Sequence, residues 1–463
     1  VAKGRSAAGG WLVAATLTMI ILVATGWWNP FPALWDWINT SQTLSDPAPQ
    51  WQQRLGGRPR TVQAADGIVI VEQPDSVEAR DFSTGASRWK AAADWAAVAG
   101  PPGRTVVLTG KLLNKGYNIL DPRTGRDVRA KDTTALAVWT WSNAMLDVHC
   151  RQPDDCVLTR REPASGDVKW EADLPGVGFV LFADNPKLLG ARSLTSGQAD
   201  AQLAPAGLMP TMLGFPVNGR VEVINTDTGA IVTTIQPDRH EKLMVIDDAV
   251  LHSRATPASG GCQLQLAATD PYNGHELWHR NGYNLGMVAG AACDQDRDPV
   301  LVGKALLATR TDGRQVLLDP HLGRELLVAP VGGSIIASDG VRAVVRSKDG
   351  TTLTAYQLGE DDPLFRRKTD PGATAAVTRT GILVFDKHPD RIYLLKDDGS
   401  ALLESHSDAR ALSLTQEGLL LGDRRELALL TWPGSRAPVS PSPSPQISGP
   451  AGDEHRPRVP GEA

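Results

Sequence analysis

The chain has 463 residues, of which 41% are hydrophobic, enough for a packed core. Its formal net charge of -5 at pH 7 gives no basic footprint, which sets nucleic acid aside as a partner. Aromatic residues are only 5% of the chain, yet Trp (13) outnumbers both Tyr (5) and Phe (7).

Lys3 and Arg5 precede an uncharged stretch from Ser6 to Trp28, about the length a helix needs to cross the hydrocarbon core of a bilayer. The next basic residue is Arg54, so the positive-inside bias predicts that residues 1–28 are a cytoplasmic tail and a single transmembrane helix. The remainder is then extracytoplasmic. Trp27, Trp28, Phe31, Trp35 and Trp37 follow as an interfacial belt. Bulky Trp27-Trp28 stands where a small-x-small cleavage site would be needed, so a retained anchor is expected rather than a cleaved signal peptide. Residues 29–48, with Pro30, Pro32 and Pro47, read as a juxtamembrane linker.

Residues 49–432 carry a repeated phrase. An apolar run leads into a polar turn that ends in Gly, and a second run, often with Trp near its start, follows. It reads VEARDFSTGASRW (Val77 to Trp89), YNILDPRTGRDV (Tyr117 to Val128) and LTRREPASGDVKW (Leu158 to Trp170). It returns as VEVINTDTGAIV (Val221 to Val232), LAATDPYNGHELW (Leu266 to Trp278) and VLLDPHLGREL (Val316 to Leu326). The copies align Asp81, Asp121, Asp270 and Asp319 at the turn start, and Gly85, Gly125, Gly166, Gly229, Gly274 and Gly323 at its end. Asp at a turn start bonds its own backbone, and Gly supplies the positive φ that the turn needs. Trp89, Trp170 and Trp278, just past the Gly, are expected to pack between neighbouring units.

Each unit resolves into four short strands; in the first they are RTVQAA, GIVIVEQ, VEARDF and ASRWKAA. Four-stranded units repeating every few tens of residues predict an all-β fold, a β-propeller. The last unit, Leu412 to Trp432, lacks a fourth strand, and WQQRL (Trp51 to Leu55) at the other end of the region supplies one. Closing the ring in this way removes free sheet edges. At about 40–50 residues per blade the length gives eight or nine blades, and eight is expected because very large propellers are uncommon, within a range of seven to nine. Residues 433–463, rich in Pro, Ser and Gly, read as a disordered tail.

Cys150, Cys156, Cys262 and Cys293 are an even count in a chain expected to be exported, which points to two disulfides. Cys150 and Cys156 flank the polar turn RQPDD, and a hairpin would set them opposite each other, leaving Cys262 with Cys293. There is no C-x-x-C, and His149, His240, His252, His279 and His321 show no ligand spacing, so no metal site is predicted. Asp294, Asp296 and Asp298, interrupted by Arg297, read as a solvated loop. The signatures G-x-S-x-G, P-loop and H-E-x-x-H are absent from the sequence.

The pattern V-x-A-x-D-x-x-T-G-x-x-x-W resembles the quinoprotein-like (PQQ-like) propeller repeat, over roughly Trp51 to Trp432. That family includes quinoprotein alcohol dehydrogenases and the non-enzymatic propeller of the outer-membrane protein assembly machinery, so the resemblance speaks to fold far more than to function. The enzyme branch implies a quinone on a Trp floor under a disulfide of adjacent cysteines, Ca²⁺ held by carboxylate and amide oxygens, and an Asp base. This chain has no adjacent Cys pair. Turn chemistry accounts for Asp121, Asp270 and Asp319. The reading is a membrane-anchored, extracytoplasmic scaffold with no catalytic residue, cofactor or metal, whose partners are envelope proteins. Its expected contact elements are the segment from Ser193 to Pro210 and the loop around Cys293. The alternatives are a quinoprotein dehydrogenase and a propeller that holds a small ligand in its channel.

Overall fold

The computed structural model describes residues 48–111, 114–152, 154–175, 207–289, 292–295, 299–387, 390–407 and 409–433. The expected anchor, nearly all of the linker and the expected tail lie outside them. Among the described residues the regular structure is entirely β, and no helix is long and apolar enough to cross a membrane.

Among the described residues nine blade sheets succeed one another, with a tenth, two-stranded pairing inserted in the sixth. Blade 1 spans residues 61–91, blade 2 95–120, blade 3 137–175, blade 4 212–235 and blade 5 241–281. Blade 6 spans 283–328, blade 7 334–368, blade 8 374–406, and blade 9 joins 410–431 to 51–54. The expectation of eight blades is therefore corrected to nine. Strands Met212–Val217, Arg220–Asn225 and Ile231–Ile235 form a sheet of their own, so every copy of the repeat has its own blade. Ring closure follows the expected route: Trp51–Arg54 pairs antiparallel with Glu426–Thr431, setting Trp51 opposite Leu429 and Arg54 opposite Glu426.

Strand sequences follow from position within the blade. The second and third strands of blade 1, Ile68–Gln73 and Ser76–Asp81, are covered on both faces, and nearly every residue in them is buried. Ile68–Val71 is a continuous apolar run, as such cover calls for, while Ser76–Asp81 buries Glu78 and Arg80 as an ion pair at 2.8 Å. The outer strand Val168–Pro175 of blade 3 alternates instead, with Trp170, Ala172 and Leu174 buried between exposed neighbours. The core is consequently a series of layers between blades. Leu158, Leu174, Phe215 and Ile224 fill the layer between blades 3 and 4, and Leu251, Leu266, Leu306 and Leu318 that between blades 5 and 6.

Among the described residues three blades depart from the four-strand plan. Blade 4 shows three strands, and because the repeat turn from Asn225 to Gly229 joins its last two, Met212–Val217 stands as its second strand and residues 207–211 enter it from the turn face. Blade 2 keeps Trp95–Ala99, Val106–Gly110 and Asn118–Leu120, and its fourth strand shrinks to two isolated bridges, Leu120 with Asp127 and Tyr117 with Asp132. In blade 6 the first strand is split: Tyr283–Asn284 and Leu301–Val302 both pair with Ala305–Arg310. The insertion between the two pieces contains a small pairing of Val288–Ala289 with Asp294–Gln295.

Antiparallel order fixes two faces. Links from first to second strand and from third to fourth strand emerge on one side, here the turn face. Links from second to third strand and from blade to blade emerge on the opposite face.

Candidate functional site

The repeat residues are held by the turns they build. Asp81 Oδ1 accepts the backbone N–H groups of Ser83 and Thr84, each at 3.0 Å, and Gly85 N–H donates back to the Asp81 carbonyl at 2.8 Å. Asp121 accepts from Arg123 and Thr124, Asn225 from Asp227 and Thr228, Asp270 from Tyr272, and Asp319 from His321 and Leu322. In blade 3 Glu162 takes this place and accepts from Ser165. Burial would raise the Asp81 carboxyl, but Arg88, Ser83 and Thr84 outweigh it and hold it well below the usual carboxylate range.

The Gly that ends most of these turns meets the preceding blade. Trp170 of blade 3 lies against Gly229 of blade 4, where an added Cβ would fall 2.6 Å from the indole, and Gly229 has φ +76°. A side chain there would be strained twice, by conformation and by contact. The Trp170 Nε1–H donates to the Thr226 carbonyl at 2.7 Å. The arrangement recurs with Trp51 on Gly85, Trp89 on Gly125 and Trp278 on Gly323. Their indoles donate to the carbonyls of Phe82, Pro122 and Pro320 at 2.7, 2.8 and 2.9 Å. These Trp are therefore pins between blades. At the junction of blades 2 and 3 the shortened strand offers Arg129, whose guanidinium covers Gly166. Gly274 has no such cover within 4 Å.

Exposed large apolar side chains gather on one side of the ring. Leu208 (74% exposed), Tyr272 (63%), Leu322 (56%) and Val341 (55%) lie in links of the turn face, and Ile231 and Leu277 stand at the strand ends beside it. Val331, in the link from blade 6 to blade 7, is on the opposite face. Neighbouring links are stitched together: Asp66 accepts from Gly103 and Thr105, Ser142 donates to Gly207, and Asn225 donates to Tyr272 Oη. Of the expected contact segment from Ser193 to Pro210, residues 193–206 lie outside the described residues, while Met209 N–H is fixed on Asn143 Oδ1 at 2.8 Å.

On the opposite face the cysteines pair as Cys150–Cys156 and Cys262–Cys293. The first joins directly opposed residues of a hairpin. The second ties the blade 6 insertion to the long hairpin of blade 5, and Cys293 is fully buried.

Beside the first disulfide, between blades 2 and 3, the fold assembles a polar cluster that spacing along the chain does not show. Asp147 has no exposed surface; its Oδ2 accepts from Tyr117 Oη at 2.8 Å and from Arg161 Nε at 2.6 Å. Asp132 Oδ1 accepts from the N–H groups of Thr134 and Ala135, and His149 Nδ1 is 3.0 Å from Thr134 Oγ1. His149 Nε2 stands 3.5 Å from Asp147 Oδ1 and 3.8 Å from Asp132 Oδ2. Burial pushes the Tyr117 hydroxyl up, and Asp147 adds to it. Burial would also raise Asp147, but His149, Arg161 and Tyr117 together bring it down. Asp147 holds His149 above its ordinary value, against burial. One signal of the cluster was present in MLDVHC: a period of two puts Asp147 and His149 on one face of a strand. Of the other histidines, His240 keeps its Nδ1 buried without a hydrogen-bond partner. His252 lies between Glu241 and Thr269, His279 beside Asn281, and His321 beside Asp248.

No family model and no curated protein sequence matches the chain. Among solved structures, BamB from Moraxella catarrhalis is similar at 14% identity and a TM-score of 0.37, over 83% of this chain and 99% of that one. The quinohemoprotein alcohol dehydrogenase from Comamonas testosteroni is similar at 12% identity and 0.36, over 83% and 76%. Quinohemoprotein alcohol dehydrogenase ADHIIG from Pseudomonas putida HK5 is similar at 13% and 0.36, over 75% and 72%.

Proposed function

We propose that this propeller is a non-catalytic scaffold on the extracytoplasmic side of the cytoplasmic membrane. It is held there by the apolar N-terminal segment and binds envelope proteins through its turn face. The observation that carries the reading is the gathering of Leu208, Tyr272, Leu322 and Val341 on that face, with side chains more than half exposed. Large apolar side chains exposed on one face fit a binding surface, and links held by a rigid ring suit protein recognition. Two disulfides fit an oxidising compartment. The repeat carboxylates support a structural assignment, because their oxygens are taken up by turn N–H groups.

The test is a cross-linked pull-down of the full-length protein from its native membrane, comparing wild type with the double variant Tyr272→Ser, Leu322→Ser and with Val331→Ser. A reproducible partner that is lost in the double variant and kept in Val331→Ser is expected. Equal capture by all three would overturn the turn-face assignment. A bound-quinone absorbance after reconstitution with quinone and Ca²⁺ would overturn the non-catalytic one in favour of a quinoprotein dehydrogenase.

A further inference from the structure

Asp132, Asp147 and His149 share a design in which each side chain commits one atom to an anchor and leaves a second one free. The anchored atoms are Asp132 Oδ1, Asp147 Oδ2 and His149 Nδ1. Among the free ones, Asp147 Oδ1 and His149 Nε2 are buried without a hydrogen-bond partner. Their 3.5 Å separation is long for a charge-assisted hydrogen bond, which runs about 2.7–2.9 Å. The free ligand atoms of the three residues all lie within 4.8 Å of one another.

A fully buried carboxylate oxygen with no donor is costly, and a cation at the common point would remove that cost. Donors bound to one ion at about 2.0–2.2 Å sit roughly 3–3.6 Å apart when arranged tetrahedrally. The observed 3.5 and 3.8 Å spacings need only a slight contraction. Anchoring of the far atom of every ligand is the outer-shell arrangement that orients metal ligands. Arg161 bonds the oxygen of Asp147 that points away from the common point, so it offsets charge without blocking it.

We propose that Asp132 Oδ2, Asp147 Oδ1 and His149 Nε2 bind one divalent transition-metal cation, Zn²⁺ or Mn²⁺. Mixed imidazole and carboxylate donors suit these ions, whereas Ca²⁺ calls for about six to eight oxygens. The Asp132 and His149 side chains are 21% and 25% exposed, so the solvent side is open for water to complete the coordination. The ion would tie Asp132, bridged to Tyr117 at the edge of blade 2, to the second strand of blade 3. That is the junction where Arg129 stands in place of a Trp pin.

The experiment is calorimetric titration of the chelator-stripped, disulfide-intact full-length protein with ZnCl₂ and with MnCl₂, alongside thermal melts. One saturable site per chain for at least one of the two ions is expected, with a rise in Tm on binding. Asp132→Asn and His149→Gln, at partly exposed positions, are expected to weaken that binding at least tenfold while their metal-free melts stay close to wild type. No saturable binding of either ion to the wild type would overturn the proposal and leave a protonated His149 as what fills the gap. Equal affinity in wild type and both variants would overturn it as well, because the ion would then sit elsewhere. If one variant fails to fold, the comparison is read from the other, and if both fail, from Thr134→Val. That substitution removes the Nδ1 anchor and is expected to weaken binding severalfold; unchanged affinity there would count against the site.

Discussion

Trp170 closes the gap between blades 3 and 4 with an indole; Arg129 closes the gap between blades 2 and 3 with a guanidinium. The indole is 8% exposed, packs flat on Gly229 and spends its one N–H on the Thr226 carbonyl. This junction is apolar and self-sufficient, with Leu158, Leu174, Phe215 and Ile224 behind it. The Arg129 junction follows a blade whose fourth strand is nearly gone, and polar groups fill what that strand would have covered: Tyr117, Asp132, Asp147, His149 and Arg161. A propeller can thus exchange an apolar pin for a buried polar network at one junction and keep the ring. The exchange replaces a contact that is indifferent to conditions with one that depends on protons and ions.

The largest test removes a pin. Trp170→Ala is expected to cost about 3–5 kcal/mol in urea unfolding, as for other buried Trp truncations; a loss under about 1 kcal/mol would mean that the pin does not carry the junction. Next comes a pair of glycines in the same backbone conformation. Gly274→Ala, with open space around it, is expected to cost about 1–2 kcal/mol for positive φ alone. Gly229→Ala should cost a further ~1–3 kcal/mol, because its Cβ meets Trp170. The difference between the two melts measures the pin contact directly, and equal losses would refute it. At the other junction Arg129→Ala is expected to cost only roughly 1 kcal/mol, since the side chain is half-buried and its neighbours are polar.

The smallest effect concerns the turns. The folded-state carboxyl of Asp81 is depressed below 3.8, so its contribution to stability is complete above that pH and fades as the pH falls through the lower folded value. The stability advantage of wild type over Asp81→Asn should therefore be constant from neutral pH to about pH 5 and shrink in more acid solution. An advantage independent of pH down to 2 would show that shape, rather than charge, holds the turn.

Much of the architecture was legible because it is local and repeated. The turn pattern from Asp81 to Gly85 recurs, and its bonds span fewer than six residues, so the phrase announces itself each time. The closing strand was legible for a different reason: WQQRL had no unit of its own to belong to, and the last unit was one strand short. Blade number was harder to read. Blade 2 spends few residues on its outer strand and blade 6 inserts many into its first, so length per blade is a poor ruler. The polar cluster was invisible for a physical reason. Its members sit at the edge of blade 2, where Asp132 is bridged to Tyr117, and in the second strand of the next blade. Only packing of two blades brings Asp132 to His149.

Ring closure by Trp51–Arg54 also sets an order of events during synthesis. The strand made first among the described ones pairs with Glu426–Thr431, which is made last. Until the ribosome has delivered the latter, Trp51–Arg54 has no strand to pair with, and its indole is not yet held on Gly85 of blade 1. Contacts of such long sequence separation are slow to form, and an unpaired edge is prone to capture by other chains. The protein therefore spends the whole of its elongation as an incomplete ring, most vulnerable at its two ends, and becomes one cooperative object only in the final step.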